Sequence, residues 1–432
     1  MTRRLPFDRY DRASVRPGIV HLGLGAFHRA HQAPVFDDLI AGGDRRWGIT
    51  GVAMRSPHVA AAMAEQAGLY SLAVRGPQSE PPRVIGAITA LHIAARERDA
   101  VIAAIAAAPT QLVTLTITEK GYLDHTDTGA AAGTGAMGIV AEALGRRHAA
   151  GLGPITILSC DNRSGNGPFT RTAVLAAAQA IGMADAGLRW IAHEVAFPSA
   201  MVDRITPATT AAMIADSSER LGVTDAAAVW TEPFWQWVVE DRFAAARPDL
   251  AAVGVTMVDD VTAWEDAKLR LLNAAHSALA YRGLLRGHRY VHQAIADPAL
   301  RAHVEALWDE AATTLDGGQI DVPAYRAALV QRFSNPALPH ALVQIAADGS
   351  QKLPPRVLAT MAVRARQGRD SPALGWAVAG WIAALRQVDG LTDPLLPQLT
   401  ALARASAPVA AMLSTIGAPD DPAIVAAVER HG

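Results

Sequence analysis

The chain has 432 residues, of which 50% are hydrophobic and 19% charged, a balance typical of a folded globular protein rather than a disordered one. The formal net charge of −2 gives no basic surface for nucleic acid or an anionic membrane, so neither partner is expected. The single cysteine, Cys160, excludes a disulfide framework and a cysteine-based metal cage, and is typical of a reducing cytoplasm.

The first half of the chain alternates short apolar runs with alanine-rich helical patterns. The predicted strands are Gly18–Leu22, Gly48–Ala53, Leu112–Thr118 and Ile155–Cys160. The predicted helices between and after them are Ala100–Ala107, Ala136–Ala149 and Gly167–Ile181. This alternation predicts an α/β domain with a parallel sheet that is covered by helices on both faces.

From about Asp260 the strand patterns nearly disappear and long helical segments follow one another. These are Val261–Leu285, Asp297–Thr313, Val322–Phe333, Pro354–Arg366 and Leu374–Arg386. We therefore predict two domains, residues 1–258 and a mainly α-helical domain of residues 259–432.

Neither a secretory signal nor a membrane span is expected from the apolar segments. The start of the chain has no apolar core of the signal-peptide kind, and the longest apolar stretch, near Leu374–Leu385, is too short to span a bilayer. It is typical of a buried helix. We expect a cytoplasmic protein that is a monomer or a small homo-oligomer.

A glycine-rich turn follows the first predicted strand. Gly23 and Gly25 form a Gly-x-Gly motif, with Ala26 and Phe27 opening the next helix, where backbone amides can meet a pyrophosphate. His28 occupies the position of the third glycine in the usual dinucleotide fingerprint. The motif favours a Rossmann-like, dinucleotide-binding N-terminal domain, and the alternative is a turn without a ligand.

The end of the second predicted strand bears on the choice of cofactor. No acidic residue stands there to bind a ribose 2′-hydroxyl, and Arg55 would accept a 2′-phosphate or simply lie in solvent. These residues leave the choice between NAD and NADP open; the cofactor we predict for the protein is NAD, with NADP not excluded.

Lysine is rare in this chain. Of the 39 basic residues only Lys120, Lys268 and Lys352 are lysines. A lysine retained in such a composition is a candidate for chemistry that arginine cannot perform, because arginine does not deprotonate in proteins.

One predicted helix carries Lys268 together with three other polar side chains. On an α-helix Asn273 lies roughly 140° and His276 roughly 80° from Lys268, while Glu265 lies roughly 60° away on the same side. The rest of the segment is apolar, so this face is expected to be enclosed and to form a site with a perturbed pKa. The alternative is an amphipathic surface helix with a Glu–Lys pair.

The chain resembles the polyol-specific long-chain dehydrogenase/reductase family, which includes mannitol 2-dehydrogenase and fructuronate reductase. Eight segments keep the family order across nearly the whole chain: His21–Gln32, Thr116–Tyr122, Ser159–Asn162, Phe197–Pro207, Glu232–Asp241, Lys268–His276, Arg332–Pro336 and Asp348–Lys352. The resemblance implies metal-independent hydride transfer between a nicotinamide cofactor and an open-chain sugar.

The resemblance also implies roles for individual residues. Lys268 matches the general acid/base, and Asn162 and Asn273 match two amides that polarise the reacting oxygen. His276 matches a substrate-positioning residue, and Glu265 matches a carboxylate that relays protons between the lysine and water.

Other matched positions belong to the substrate and cofactor sites. Asp203 and Lys352 match substrate-contacting residues, and Thr118, Glu119 and Lys120 are assigned to the cofactor site.

The substrate is expected to be a sugar acid. Gln344 stands where the mannitol branch usually carries an arginine, and Lys352, Arg356 or Arg332 could bind a carboxylate. The prediction is therefore D-fructuronate/D-mannonate, with mannitol/fructose and tagaturonate as alternatives. A nucleotide-binding redox sensor is the alternative outside enzymes, although the chain retains the predicted catalytic set.

Overall fold

The computed structural model describes residues 4–54, 57–78, 80–117, 121–122, 135–316 and 318–431. The chain divides into two compact units, Met1–Thr262 and Ala263–Gly432. Each unit has its own hydrophobic core.

The first unit contains a five-stranded parallel sheet with the strand order β5-β2-β1-β6-β7. The strands of the unit are β1 Pro17–Leu22, β2 Gly48–Ala53, β3 Tyr70–Val74, β4 Arg83–Ile85, β5 Ile88–Ile93, β6 Leu112–Leu115, β7 Thr156–Ser159, β8 Ala200–Asp203, β9 Val229–Thr231, β10 Gln236–Glu240 and β11 Thr256–Val258. The four predicted strands correspond to β1, β2, β6 and β7, although β6 ends three residues before the predicted Thr118.

Helices cover both faces of this sheet, as predicted. The helices described in the unit are α1 Ala26–Ala41, α2 Pro57–Glu65, α3 Ala94–Ala106, α4 Ala136–Ala149, α5 Asn166–Ala180, α6 Asp185–His193 and α7 Ala211–Leu221. Ile19 of β1 packs in one core cluster with α1 and α2, whereas Val20 packs with α3, α4 and α5 in another. Successive strand side chains point to opposite faces, so both faces are buried.

The unit also contains two three-stranded sheets that the sequence analysis did not predict. Their orders are β11-β10-β8 and β4-β3-β9, and each combines a parallel with an antiparallel pair. These strands have three to five residues, and β5 of the main sheet was also missed. Such short runs carry little periodicity, and their strand character depends on partners that are distant in sequence.

The second unit is helical, as predicted, and has no named strand within its described residues. Its elements are α8 Thr262–Ala267, a first π turn Lys268–Asn273, α9 Ala274–Leu285, α10 Val291–Ala296, α11 Pro298–Ala312, α12 Val322–Phe333, α13 Leu342–Ala346, α14 Gly349–Leu353, a second π turn Pro354–Leu358, α15 Ala359–Arg366, α16 Pro372–Gln387, α17 Leu396–Arg404, α18 Val409–Thr415 and α19 Pro422–Glu429.

Helix α16 forms the centre of this unit. It contacts α9, α11, α17 and α19, and its apolar residues are almost all buried. The buried helix expected near Leu374–Leu385 is therefore confirmed. In the part of the chain that the structure describes, no helix combines the length and apolarity needed to cross a membrane.

Candidate active site

The glycine-rich turn follows β1 at the carboxyl edge of the five-stranded sheet. Gly23 has a φ of +107°, a conformation that favours glycine, and a methyl group there would lie 2.1 Å from the Thr116 carbonyl oxygen. The backbone N–H groups of Gly23 and Leu24 both donate to the Val52 carbonyl oxygen, at 3.0 and 3.1 Å. The turn is therefore held by the chain after β6 and by β2, and position 23 admits no side chain.

Helix α1 begins directly after this turn and leaves its first backbone N–H groups without a side-chain cap. Gly25 is the N-cap residue, and Ala26 and Phe27 open the helix. A methyl group at Gly25 would meet only the Gly23 carbonyl oxygen, at 3.8 Å. Unsatisfied N–H groups at a helix N-terminus bind anions well, so this end of α1 has the features of a pyrophosphate site.

His28, at the position of the absent third glycine, is part of the support beneath the turn. Its ring is fully buried and stacks on His21, with 3.3 Å between the ring centres. The His21 Nε2–H donates to the Gly23 carbonyl oxygen at 3.0 Å, and its Nδ1 accepts from Thr114 at 2.7 Å. Burial lowers the pKa of His21 to about 3 and holds that of His28 well below its usual value. Both rings are therefore neutral structural groups near pH 7.

Two further residues assigned by the sequence analysis lie at strand ends of this unit. Asn162 is exposed and follows β7, so it lies at the same sheet edge as Gly23 because β1, β6 and β7 are parallel. This carboxyl edge is where open α/β sheets bind ligands. Asp203 is buried and ends β8, which belongs to a different sheet.

Four predicted cofactor residues lie outside the described residues: Arg55, Thr118, Glu119 and Lys120.

The helix that carries Lys268 is not a continuous α-helix, and the angle predicted between Lys268 and Asn273 is wrong. Lys268–Asn273 form a π turn, in which the N–H of Ala274 donates to the carbonyl of Leu269, five residues earlier. In a π turn the backbone hydrogen bond joins residues five apart. Two residues five apart therefore lie nearly above one another on the same side of the helix, as residues four apart do in an α-helix. Position 273 therefore lies on the side of Lys268 rather than roughly 140° away.

The polar residues of this helix are enclosed, as the apolar surroundings predicted. Lys268, Asn273 and His276 are 9%, 6% and 6% exposed, and Glu265 is half-buried. A buried lysine, amide and imidazole within nine residues are a concentration of polar groups that a purely structural helix does not need.

His276 faces a second imidazole, His340, which the sequence analysis did not single out. The ring centres of His276 and His340 are 5.5 Å apart, and Phe333 packs 4.6 Å from the His276 ring. The His276 Nε2 and the His340 Nδ1 are buried without a hydrogen-bond partner among the described residues. A buried ring nitrogen without a partner is uncommon in native structures, so both nitrogens are candidate contacts for a bound hydroxyl group.

Both imidazoles are neutral near pH 7. Burial, together with the positive charges nearby, holds the pKa of His276 well below its usual value. Burial and the charge of Lys352 lower the pKa of His340 to about 4. Neither imidazole ring is therefore a source of positive charge in this region at neutral pH.

Lys352 and Arg356 supply positive charge to the same region of the helical unit. The Lys352 ammonium donates to the Ile345 carbonyl at 3.2 Å, and the Arg356 guanidinium donates to the Ser277 hydroxyl at 3.3 Å. Neither forms an ion pair with a carboxylate in the described part of the chain. Two cations with this environment form a potential carboxylate-binding site.

Partial burial lowers the pKa values of both cations. Burial and the neighbouring Arg356 lower the pKa of Lys352 to about 8, although Asp348 and Asp393 oppose this shift. Burial lowers the pKa of Arg356 to about 10, and the opposing influence comes from Tyr281. Both groups are still cationic at pH 7, and an anionic ligand would stabilise their charge.

The remaining substrate residues differ in exposure. Arg332, at the end of α12, is buried, and its charge contributes to the low pKa of His276. Gln344 is exposed on the short helix α13. Among the described residues, no cluster of three or more His, Cys, Asp or Glu side chains is arranged to hold a metal ion.

Comparison with known families decides the class of the protein. Residues 17–252 match the mannitol dehydrogenase Rossmann domain, and residues 260–430 match the mannitol dehydrogenase C-terminal domain. The chain belongs to the mannitol dehydrogenase family. This membership confirms the predicted resemblance, the Rossmann-like and helical fold classes, and the expected class of activity, a dehydrogenase/reductase.

Individual members of the mannitol dehydrogenase family align over nearly the whole chain. The uncharacterized oxidoreductase YeiQ of Escherichia coli (strain K12) is 40% identical, over 98% of this chain and 93% of the relative. The D-mannonate oxidoreductase of the same organism is 38% identical, over 91% and 87%. A solved ternary complex of Pseudomonas fluorescens mannitol 2-dehydrogenase with NAD and D-mannitol has a TM-score of 0.87 at 36% identity, covering 98% and 92%.

Proposed function

We propose that the protein is an NAD-dependent, metal-independent oxidoreductase that interconverts D-fructuronate and D-mannonate. The observation that carries the choice of a sugar acid is the pair of cations Lys352 and Arg356, which have no carboxylate ion-pair partner among the described residues. Placing one carboxylate of the substrate against this pair would neutralise a half-buried positive charge. A neutral ketose would leave both charges as they are.

The cofactor is assigned to the first domain, residues 1–258, which also carries Asn162 and Asp203, and the other substrate residues belong to the second domain, residues 259–432. The uncapped start of α1 and the open space at Gly25 fit a pyrophosphate, with Gly23, Ala26 and Phe27 forming the backbone of the site. Thr118, Glu119, Lys120 and Arg55 complete the proposed cofactor residues. NAD is favoured because the complex of the Pseudomonas fluorescens relative holds NAD.

In the proposed reduction, NADH when bound supplies the hydride that reaches the carbonyl carbon. The Lys268 ammonium donates a proton to the carbonyl oxygen, so that the alcohol forms and the lysine is left neutral. Glu265 returns a proton from water to the lysine. Asn162 and Asn273 donate hydrogen bonds from their side-chain N–H groups to the same oxygen and stabilise its developing negative charge.

The other assigned residues orient the sugar. His276 is neutral, so its buried Nε2 can exchange a hydrogen bond with a substrate hydroxyl without changing charge. Asp203 and Gln344 are assigned to further hydroxyl groups. Oxidation of the alcohol runs through the same steps in reverse. We also propose a cytoplasmic location, which is supported by the single cysteine.

The test of this function is NADH and NADPH oxidation by the purified protein with fructuronate, tagaturonate and fructose. We expect the highest kcat/KM for NADH with fructuronate. A preference for tagaturonate would keep the carboxylate argument and change the sugar, whereas a preference for fructose would contradict the role of Lys352 and Arg356. Absence of turnover with all three would overturn the proposed reaction.

The carboxylate preference is expected to depend on pH through Lys352. Its pKa is lowered to about 8, so the ammonium is present below that pH and is lost above it. We therefore expect the ratio of kcat/KM for fructuronate to kcat/KM for fructose to fall as the pH rises through about 8. The ratio removes the titration of groups that both reactions share, Lys268 included.

The matched control for this pH dependence is Lys352→Gln, which keeps a polar side chain and removes the titrating charge. In this variant the ratio should be lower than in the parent at pH 7 and constant across the same pH range. A parent ratio that does not change between pH 6.5 and 9 would contradict the proposed contact of Lys352 with the carboxylate.

Two glycine substitutions should separate folding from cofactor binding. Gly23→Ala places a methyl group against backbone at a positive φ, so we expect a loss of stability of about 1–3 kcal/mol. Gly25→Ala meets no such clash and should unfold at nearly the parental temperature. If the pyrophosphate lies at the start of α1, Gly25→Ala should nevertheless weaken NADH binding by about tenfold or more, because the methyl group obstructs close approach of the backbone.

Thermal unfolding and the quenching of protein fluorescence by NADH measure the two effects. Unchanged NADH affinity in Gly25→Ala would remove this turn from the cofactor site. Normal stability of Gly23→Ala would contradict the described geometry of the turn.

A further inference from the structure

The first π turn, Lys268–Asn273, is held from outside its own helix. The Leu271 carbonyl oxygen accepts the N–H of Ala274 and also the indole N–H of Trp308 in α11, at 3.0 Å. Leu271 and Trp308 are almost completely buried, so water does not compete for this contact. A side chain that hydrogen-bonds into the backbone ladder is a recognised cause of local departure from α-helical geometry.

A second contact fixes the same turn to the end of the same neighbouring helix. The Arg270 guanidinium donates to the Thr314 carbonyl at 2.5 Å and forms an ion pair with Asp266 at 2.8 Å. Thr314 lies just beyond α11, six residues after Trp308. Two adjacent residues of the turn, Arg270 and Leu271, thus form hydrogen bonds to α11 and to the residues directly after it, and these tertiary contacts stabilise the π turn.

The Trp308 ring is itself fixed in orientation. Phe333 stacks on it with 6.4 Å between the ring centres, and the Arg326 guanidinium lies 5.6 Å from its centre. Arg326 is in turn paired with Asp309, at 2.6 Å. The indole N–H is therefore directed at the Leu271 carbonyl by contacts on its ring, and it has little freedom to turn away.

We infer that Trp308 is a positioning residue for the catalytic pair Lys268 and Asn273. Its indole N–H stabilises the π turn, and the π turn brings two residues that are five apart to one side of the helix. If the turn relaxed to α-helical geometry, Asn273 would rotate to roughly 140° from Lys268, and the two groups could not act on one oxygen. This inference rests on the proposed roles of Lys268 and Asn273.

The test is Trp308→Phe, which keeps an aromatic ring and removes only the N–H. We expect kcat to fall by about 10- to 100-fold, the loss that a small misplacement of catalytic groups produces. NADH affinity should stay close to the parental value, because the cofactor is assigned to the other domain. The pH profile of kcat should also shift, since the environment of Lys268 changes with the turn, and a simple loss of packing would not shift it.

Trp376→Phe is the matched control. It makes the same chemical change in the same unit, in α16, where the ring of Trp376 stacks on His303 with 4.3 Å between the ring centres. We expect its kcat and pH profile to be parental. Trp308→Phe with parental kcat and pH profile would overturn the inference.

If Trp308→Phe does not fold, Trp308→His and Trp308→Leu replace it, because both are smaller than tryptophan and only histidine keeps a ring N–H. We then expect a higher kcat for histidine, and equal values would overturn the inference. Lys268→Ala separates this inference from the proposed function. An inactive Lys268→Ala beside a fully active Trp308→Phe would refute only the role of Trp308, whereas an active Lys268→Ala would refute the role of Lys268 itself.

Discussion

Lys268→Ala is expected to lower kcat by about 10²- to 10⁴-fold, because general acid/base catalysis by one side chain contributes on this scale. The lysine acts on the substrate oxygen, so NADH affinity should stay within about twofold of the parental value, a change of less than about 0.5 kcal/mol in binding. Steady-state kinetics with fructuronate and a direct NADH titration measure the two quantities. An equal loss of both would show that Lys268 belongs to the cofactor site instead.

Lys268→Arg should be almost as inactive as Lys268→Ala. A guanidinium keeps the positive charge but does not release a proton near neutral pH, so the variant separates charge from proton transfer. Near-normal activity would mean that another residue is the acid. Arg301→Ala is the control for removal of a cation, since Arg301 lies on the surface of the same unit, paired with Glu305 at 2.6 Å. It should be as active as the parent.

Arg356→Gln is expected to raise the KM for fructuronate by about 100-fold and to leave the KM for fructose nearly unchanged. The expectation follows from the cost of removing one partner from a buried, hydrogen-bonded charge pair, about 2–5 kcal/mol. Fructose has no carboxylate, so it does not use this pair. The KM values for fructuronate and for fructose are measured with the same preparation of the variant. Because effects on folding and on cofactor binding are common to both substrates, they cancel in the comparison.

Arg356→Lys tests the geometry of the same contact. Lysine keeps the charge and loses the planar fork that binds a carboxylate through two parallel hydrogen bonds. We expect a KM for fructuronate between those of the parent and Arg356→Gln. Equal increases in KM for fructuronate and fructose in Arg356→Gln would show that Arg356 supports the fold of the site rather than the choice of substrate.

The helical unit offers two kinds of polar group to a sugar acid. His276 and His340 are neutral near pH 7, whereas Lys352 and Arg356 remain cationic. Neutral imidazoles suit hydroxyl groups and the cations suit a carboxylate, so the two ends of one molecule would be recognised by different chemistry. The pH dependence proposed for Lys352 follows from this arrangement.

Much of the fold could be predicted from local patterns in the sequence. The strands β1, β2, β6 and β7 are short and mostly apolar runs, because a parallel sheet is buried on both faces. The longer helices of the second unit, such as α11, α12 and α16, have enough residues to show their periodicity. By contrast, the short strands of the two smaller sheets were missed, because a run of three to five residues becomes a strand only through a partner far away in sequence.

The candidate site was predictable in its composition and less so in its geometry. The rarity of lysine and the motifs around Gly23, Lys268 and Lys352 identified the candidate residues. The α-helical spacing applied to Lys268 and Asn273 was wrong, because no local pattern signals the π turn that the Trp308 N–H and the Arg270 contacts hold in place. His340 was missed, since nothing in the spacing around it distinguishes it from other loop residues.

The sequence by itself thus determined the class of fold, the family and the chemical groups available for catalysis, because these depend on residue type and on local periodicity. Only the tertiary structure decided that residues 268 and 273 share one side of a helix and that Lys352 and Arg356 lie near each other without a described carboxylate partner. The physical reason is that hydrogen bonds and charges act over a few ångströms in space, and contacts between residues distant in the chain set those distances.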